Sequence, residues 1–244
     1  MSFFSWILKK SKQRNIKIGL ALGSGGAKGF AHLGALRAFE ENGIEFDIVA
    51  GTSIGSIVGA FYANGYSSVD ILELLKRIDF SELKKPFKAV ATELETGKEK
   101  VFESGNVAKA LSASSSIPPF FRPVIIDGIK YIDGAYTNAI PADIVKNMGA
   151  DYVVGIDLST NKSKAGIIKM IFPTYKSEVE NPSAKGYEYS DVMLHPDLNE
   201  FSSVSVGAGS FMYDIGYHHA LSFVPKIKKD IEELKKGKSK KGRN

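Results

Sequence analysis

Short, largely apolar runs alternate with helix-like stretches along most of this 244-residue chain. The runs have the length of buried strands and are found at 16–22, 46–50, 87–92, 152–156 and 191–194. Helix-like stretches follow the first two of them, at 30–42 and 57–62. Strand and helix patterns in alternation are typical of α/β proteins. The pattern predicts a three-layer α/β/α sandwich, in which a mixed, mostly parallel sheet lies between two layers of helices.

Two further strand-like runs, 124–126 and 129–132, are separated by the dipeptide Asp127-Gly128. An Asp-Gly pair in this setting is typical of a two-residue β-hairpin turn, because both turn positions need a positive φ. Asp127 is therefore interpreted as a structural residue.

The most informative motif is Gly51-Thr52-Ser53-Ile54-Gly55, which joins a strand-like run to a helix-like stretch. A strand that turns sharply into a helix around a serine is typical of a nucleophile elbow. The turn holds the serine hydroxyl at the N-terminus of the helix, where the dipole favours developing negative charge. Gly51 and Gly55 lack the Cβ atoms that would clash in so tight a bend. The motif predicts Ser53 as a nucleophile.

A second glycine-rich loop, residues 23–29, follows the first strand-like run. A dinucleotide site would require G-x-G-x-x-G, but Ser24 stands where the first glycine should be. A Walker loop would require Lys-Ser or Lys-Thr after the glycines, and neither follows them. The remaining use of bare backbone N–H groups is to hold an oxyanion during acyl transfer. The predicted donors are the N–H groups of Gly25 and Gly26, with that of Ser24 as a third.

A serine nucleophile needs a base. None of the four histidines has a recognisable motif around it, and only His195 follows a strand-like run. Asp133, in contrast, ends a strand-like run and is followed by the small residues Gly134 and Ala135. An aspartate that is partly desolvated and within hydrogen-bond reach of a serine can take the serine proton directly. The sequence predicts Asp133 as the base, with a Ser-Asp-His triad through His195 as the alternative.

These three motifs, in this order, resemble those of the bacterial patatin-like phospholipases, serine acyl hydrolases that use a Ser-Asp dyad. The likeness extends over residues 16–159 and resumes over 189–223. It implies a patatin-like fold and a serine esterase or lysophospholipase active in lipid degradation. The positions that it implies as support for the motifs are Lys28, Gly29, Gly51, Gly55, Gly134 and Ala135. By the same resemblance, Phe120 and Phe121 line the acyl pocket.

Two features depart from the family pattern. Ser24 replaces the first glycine of the oxyanion loop, which matters little because the donors are backbone N–H groups. The stretch 67–86 is shorter than the resemblance implies, since family members carry a helical insertion there that borders the mouth of the active site. A more open cleft, or a segment missing from this sequence, would each account for the difference.

Composition agrees with one α/β domain with a well-filled core, because 43% of the chain is hydrophobic. The resemblance implies that residues 16–225 form the acyl hydrolase domain. The chain has no cysteine, which excludes disulfides, thiolate metal sites and a cysteine nucleophile. No apolar run approaches the roughly 20 residues of a membrane span, and the N-terminus lacks the features of a secretory signal. These properties predict a cytoplasmic enzyme, and neither a metal nor a cofactor is implied.

Basic residues are concentrated at both ends of the chain. The N-terminal segment 1–15 places four cations after the apolar cluster 3–8, and 226–244 is a lysine-rich tail. This composition suits peripheral attachment to an anionic membrane surface, here the inner face of the membrane. The alternative is an N-terminus that packs on the body and a solvated lysine tail. No nucleic-acid partner is expected, since no recognised binding module accompanies the tail.

Together, the motifs predict hydrolysis of a carboxylic ester in a lipid-like substrate. Ser53 attacks the ester, Asp133 accepts its proton, and the loop at Ser24, Gly25 and Gly26 holds the oxyanion. Besides the triad through His195, a non-catalytic lipid-binding protein of the same fold is a further alternative.

Overall fold

The structure is a computed structural model. It describes residues 16–65, 79–159, 172, 175, 179–202 and 208–236. The predicted N-terminal membrane segment, 1–15, and residues 237–244 of the predicted tail lie outside these ranges.

One mixed sheet of eight strands forms the middle of the protein. Its strands are β1 (Ile18–Leu22), β2 (Ile48–Thr52), β3 (Phe87–Glu93), β4 (Glu99–Phe102), β5 (Val124–Ile126), β6 (Ile129–Asp133), β7 (Tyr152–Ile156) and β8 (Val192–Leu194). The hydrogen-bonded order is β5-β6-β3-β2-β1-β7-β8, and β4 pairs with β3 in addition. The neighbouring strands β3, β2, β1, β7 and β8 pair in parallel. Strands β4 and β6 pair antiparallel with β3, and β5 pairs antiparallel with β6.

Helices cover both faces of this sheet. They are α1 (Phe30–Glu41), α2 (Ile54–Asn64), α3 (Val107–Ser114), α4 (Ala142–Asn147), α5 (Ala184–Tyr189) and α6 (Gly209–Lys235). Alternate residues of β1 point to opposite faces, so Leu20 and Leu22 join the core with α1, α2, α3 and α6, while Ala21 packs with α4. The predicted three-layer α/β fold with a mixed sheet is therefore confirmed.

The β5–β6 hairpin has the predicted turn. Asp127 and Gly128 adopt φ values of 51° and 80°, as a type I′ turn requires. The structural role assigned to Asp127 is thereby confirmed.

Helix α6 crosses the boundary that the sequence predicted between domain and tail at residue 225. Ile227 and Ile231 are buried in the main core, and buried Asp230 accepts a hydrogen bond from the Tyr152 hydroxyl at 2.7 Å. Three of the lysines that suggested a tail, Lys226, Lys228 and Lys229, are exposed on this helix, which packs on the domain up to Lys235. None of the helices in the described ranges is both long and apolar enough to cross a membrane.

Candidate active site

The candidate site is built on strand β3. Strand β4 pairs with residues 89–92 of β3, and this stretch overlaps both the part of β3 that pairs with β2 and the part that pairs with β6. Because one edge of a strand cannot pair with two strands at the same residue, β2 and β6 must both lie on the edge opposite to β4. On that shared edge β2 pairs as far as Val90, which lies opposite Thr52, and β6 pairs from Ala91, which lies opposite Asp133. The two strands therefore approach each other end to end. Ser53, the residue after Thr52, and Asp133, the residue opposite Ala91, therefore follow one another along this edge of β3.

Gly134 shows how closely the two strand ends approach. A Cβ atom on Gly134 would lie 2.3 Å from the carbonyl oxygen of Val90 and 3.0 Å from Cγ2 of Thr52. Such distances are too short for any side chain, so glycine is required where the end of β6 meets the end of β2.

Ser53 has the strained backbone of a nucleophile elbow. Its φ of 56° and ψ of −127° are rarely adopted by a residue with a side chain. Two hydrogen bonds fix this conformation. The Ser53 carbonyl accepts one from the N–H of Ser56 at 2.8 Å and one from the hydroxyl of Ser56 at 2.6 Å. Helix α2 begins at the next residue, and Ser53 is only 2% exposed.

The glycines beside the elbow allow close backbone contact. A Cβ atom on Gly51 would lie 2.1 Å from the carbonyl oxygen of Gly55. One on Gly55 would lie 2.2 Å from the carbonyl oxygen of Leu22, at the end of β1. The elbow therefore packs directly against the start of the glycine-rich loop 23–29. At the other end of that loop, Gly29 leaves room for Ile54, the first residue of α2.

Asp133 is buried and held in place at its backbone and its side chain. Its N–H donates to the carbonyl of Ser116 at 2.9 Å, and its Oδ1 accepts from the N–H of Ala135 at 2.8 Å. Burial, together with the negative charge of Asp133, raises the pKa of nearby Tyr136 to about 12. Tyr136 therefore stays neutral and adds no second negative charge at this site.

The glycine-rich loop differs from expectation at Ser24. The N–H of Ser24, the predicted third donor, is already engaged in this structure, because it donates to the carbonyl of Ala139 at 2.9 Å. Among the described residues, no hydrogen bond engages the N–H groups of Gly25 or Gly26. Both N–H groups therefore remain available for the oxyanion role that the sequence predicts. The motif residue Lys28 is buried in the 3₁₀ turn Gly26–Gly29.

Sequence reasoning did not foresee that His32 holds the same loop. Its Nε2 lies 2.8 Å from the carbonyl oxygen of Gly23. Burial lowers the pKa of His32 to about 4, so the ring is neutral at neutral pH and Nε2–H donates this bond. With the bond from Ser24 to Ala139, the peptide between Gly23 and Ser24 is fixed at both its C=O and its N–H.

Residues 138–139 connect the three motifs. The Thr52 hydroxyl donates to the carbonyl of Asn138 at 2.8 Å, and the Ala139 carbonyl accepts from Ser24. The Asn138 side chain is itself held by Asp143 of α4 at 2.8 Å. The elbow and the glycine-rich loop thus both bond to the segment that follows Asp133.

Ser114 and Ser116 bridge the two candidate catalytic residues. The N–H of Ser53 donates to the Ser114 hydroxyl at 2.9 Å, while the carbonyl of Ser116 accepts from Asp133. The C-terminal end of α3 therefore touches the backbone on both sides of the site. The serine-rich run 112–116 contains no motif that would identify this role, because it arises from the packing of α3.

Replacing Ser114 by alanine is expected to lower turnover of a small soluble ester about tenfold and to cost about 1–2 kcal/mol of stability. The reason is that the buried N–H of Ser53 loses its acceptor, so the strained elbow is held less firmly. Ser112→Ala is the matched control, because Ser112 is an exposed serine of the same helix. Steady-state kinetics and thermal unfolding of both variants measure the effect, and equal behaviour of the two would contradict the assigned role.

The structure does not bring His195 to Ser53. His195 follows β8, three strands away from β2, which corresponds to about 14 Å across the sheet. Its Nδ1 instead lies 3.3 Å from Oδ2 of Asp157 and 3.3 Å from the hydroxyl of Tyr187. Within the described residues, no group of three or more histidine or acidic side chains could hold a metal ion.

Comparison with known proteins identifies a family that this chain resembles. The sequence model of the family described as "Patatin-like phospholipase" matches residues 20–92 and 73–146, more than half of the chain together. Both Ser53 and Asp133 lie within the matched residues.

Two curated relatives illustrate the likeness. The chain is 33% identical over 183 residues to the patatin-like phospholipase domain-containing protein ZK370.4 of Caenorhabditis elegans, covering 59% of this chain and 14% of the relative. It is 24% identical over 278 residues to lysophospholipase NTE1 of Pyricularia oryzae, covering 86% of this chain and 18% of the relative. The chain therefore spans less than a fifth of the length of either relative.

Among solved structures, VipD from Legionella pneumophila has a similar fold. The TM-score is 0.58 at 13% identity, and the match covers 87% of this chain and 67% of VipD. At this identity the likeness concerns the fold alone.

Proposed function

Because this chain belongs to the patatin-like phospholipase family, we propose that it hydrolyses carboxylic ester bonds of phospholipids or lysophospholipids, with Ser53 as nucleophile and Asp133 as general base. The observation that carries the proposal is the meeting of β2 and β6 end to end on one edge of β3. The proposal is supported by this register, because the strained serine follows the end of β2 and the buried carboxylate ends β6. No cofactor is needed for this chemistry.

In the first half of the proposed reaction, Asp133 takes the proton of Ser53 Oγ as this oxygen attacks the ester carbonyl carbon. The carbonyl oxygen becomes an oxyanion, which the N–H groups of Gly25 and Gly26 stabilise. The C–O bond to the alcohol then breaks, and the proton on Asp133 passes to the leaving oxygen. The fatty acyl group remains on Ser53.

In the second half, Asp133 takes a proton from a water molecule that attacks the acyl-enzyme. The same two N–H groups hold the new oxyanion, and the proton returns to Ser53 Oγ as the fatty acid leaves. The position of Ser53 at the N-terminus of α2 also favours the negative charge of both tetrahedral intermediates.

The phospholipid class of substrate is supported by the family and by the names of the relatives, one of which is a lysophospholipase. The attachment of segment 1–15 to an anionic membrane is a separate prediction, because those residues lie outside the described ranges.

The alternative of a triad through His195 has a direct test. His195→Ala is expected to keep turnover of a soluble ester within about tenfold of the parent, because His195 follows a strand about 14 Å from β2 and its ring contacts Asp157 and Tyr187 instead. The measurement is kcat and KM for the two proteins. Loss of turnover in a folded His195→Ala protein would make the triad the better assignment.

The alternative of a non-catalytic lipid-binding protein is tested by a fluorophosphonate probe, which modifies only activated serines. We expect labelling of the full chain, and peptide mapping should find the label on Ser53. A protein that resists the probe and hydrolyses no ester would instead be a lipid-binding member of the same fold.

A further inference from the structure

The loop between α3 and β5 exposes two adjacent aromatic side chains. Phe120 is 72% exposed and Phe121 is 61% exposed, so neither lines an enclosed acyl pocket as the family resemblance implied. Ile125 and Ile129 of the following hairpin are also exposed, at 65% and 43%. Four of the nine large exposed hydrophobic side chains in the described residues thus fall within ten positions, and clustering of this kind indicates an interaction surface.

The loop that carries the two phenylalanines has charge of one sign, whereas the hairpin turn beside it contains the acidic Asp127. Residues 117–126 contain no acidic residue and one cation, Arg122, with apolar residues or proline at every other position. Arg122 is exposed and forms no ion pair with any residue that the structure describes. An apolar loop with an exposed guanidinium complements a surface whose interior is apolar and whose outer layer is anionic.

Hydrogen bonds within the loop hold its two ends together, and another hydrogen bond connects its first end to the candidate site. The Ser116 hydroxyl donates to the carbonyl of Arg122 at 2.5 Å, and the N–H of Phe121 donates to the carbonyl of Ile117 at 3.0 Å. The Ser116 carbonyl in turn accepts the N–H of Asp133. A single residue therefore joins the base of the exposed loop to the backbone of Asp133.

We propose that residues 117–122, called the docking loop, bind a phospholipid bilayer and hold the mouth of the active site against it. This inference rests on the proposed function, since acyl lipids reside in bilayers. Phe120 and Phe121 enter the boundary between headgroups and acyl chains, and Arg122 contacts lipid phosphate. The docking loop belongs to the folded domain and is distinct from the N-terminal segment 1–15.

Vesicle binding tests the docking loop without any need for hydrolysis. The proteins carry Ser53→Ala and are sedimented with vesicles of phosphatidylcholine and phosphatidylglycerol. We expect the double variant Phe120→Ser, Phe121→Ser to lower the vesicle partition coefficient about tenfold or more, because two large apolar side chains are no longer transferred from water into the bilayer. The matched control is Leu221→Ser, which removes an exposed apolar side chain of α6, and its binding should equal that of the parent.

A second variant reports insertion directly. Trp6 is the one tryptophan of the chain, so Phe121→Trp in a Trp6→Phe background gives a single emitter in the docking loop. Its emission should shift to the blue on vesicles and be quenched by brominated acyl chains. Emission that stays unshifted, or vesicle binding equal to that of the parent in the double serine variant, would overturn the proposal. A changed oligomeric state with unchanged vesicle binding would identify the loop as a subunit interface and would also overturn it.

The two proposals fail in different ways. If the docking loop variant loses vesicle binding while the Ser53→Ala protein still hydrolyses esters, the docking proposal stands and the nucleophile assignment is wrong. If Ser53→Ala abolishes hydrolysis while the loop variant binds vesicles normally, the reverse holds.

Discussion

Ser53→Ala and Asp133→Asn are each expected to reduce hydrolysis of a small soluble ester by about 10³-fold or more. The alanine removes the attacking oxygen, and the asparagine keeps the shape of the side chain but cannot take the proton. The protein with both substitutions should be little worse than either single variant, because the two residues act as one unit. Initial rates under saturating and subsaturating substrate measure these losses.

Folding must be preserved for this comparison to count. Ser53→Ala removes a single oxygen atom and Asp133→Asn keeps the shape of the side chain. The thermal unfolding and circular dichroism of both variants should therefore resemble those of the parent. Asp133→Asn with near-normal turnover would contradict the dyad. Additive losses in the double variant would show instead that Ser53 and Asp133 act independently.

Gly55→Ala is expected to lower the free energy of unfolding by about 3 kcal/mol and to reduce ester turnover about 10²-fold. The added Cβ would lie 2.2 Å from the carbonyl oxygen of Leu22 and 2.7 Å from that of Gly23. Backbone atoms of a sheet and a loop cannot rotate away, so the elbow must move relative to the glycine-rich loop. Denaturant unfolding and steady-state kinetics would measure the two effects.

Gly59→Ala is the matched control in the same helix. Its Cβ would lie 3.1 Å from a ring carbon of Phe87 and 3.2 Å from Cγ1 of Val49, which are side-chain atoms that can shift slightly. Alanine also favours helix over glycine by up to about 1 kcal/mol, so stability should change by less than about 1 kcal/mol. Equal losses in the two variants would show that the close contact of Gly55 with β1 is unimportant.

Much of the fold could be predicted from the sequence because many of its strands are short, largely apolar runs. β7 has the predicted bounds, the observed β3 extends one residue beyond the predicted run, and the hairpin turn at Asp127 has the φ values that its sequence demands. The end of the domain could not be predicted in this way. Lysines on the exposed face of α6 resemble a disordered tail in composition, and only the burial of Ile227 and Ile231 reveals the helix.

The candidate site divides along the same line. Ser53 and its glycines are recognisable because a tight strand-to-helix turn restricts the residue types that fit it. The contacts of Ser114 and His32 depend on which helix packs beside the elbow, and no local pattern encodes that packing. The hydrogen bond from the Ser24 N–H to the Ala139 carbonyl is likewise a long-range contact, and the sequence of the glycine-rich loop alone does not indicate it.

The shared edge of β3 also explains which changes of length the chain can accept. The pairing register sets the spacing between Ser53 and Asp133. The pairing of β2 with β3 ends where Thr52 lies opposite Val90, and the pairing of β6 with β3 begins where Asp133 lies opposite Ala91. One residue added within β6 would turn Asp133 to the other face of the sheet. Segments outside the sheet have no such constraint. The alignment with lysophospholipase NTE1 spans 278 residues, more than this chain contains, and we expect the residues that this chain lacks to fall in loops outside the sheet.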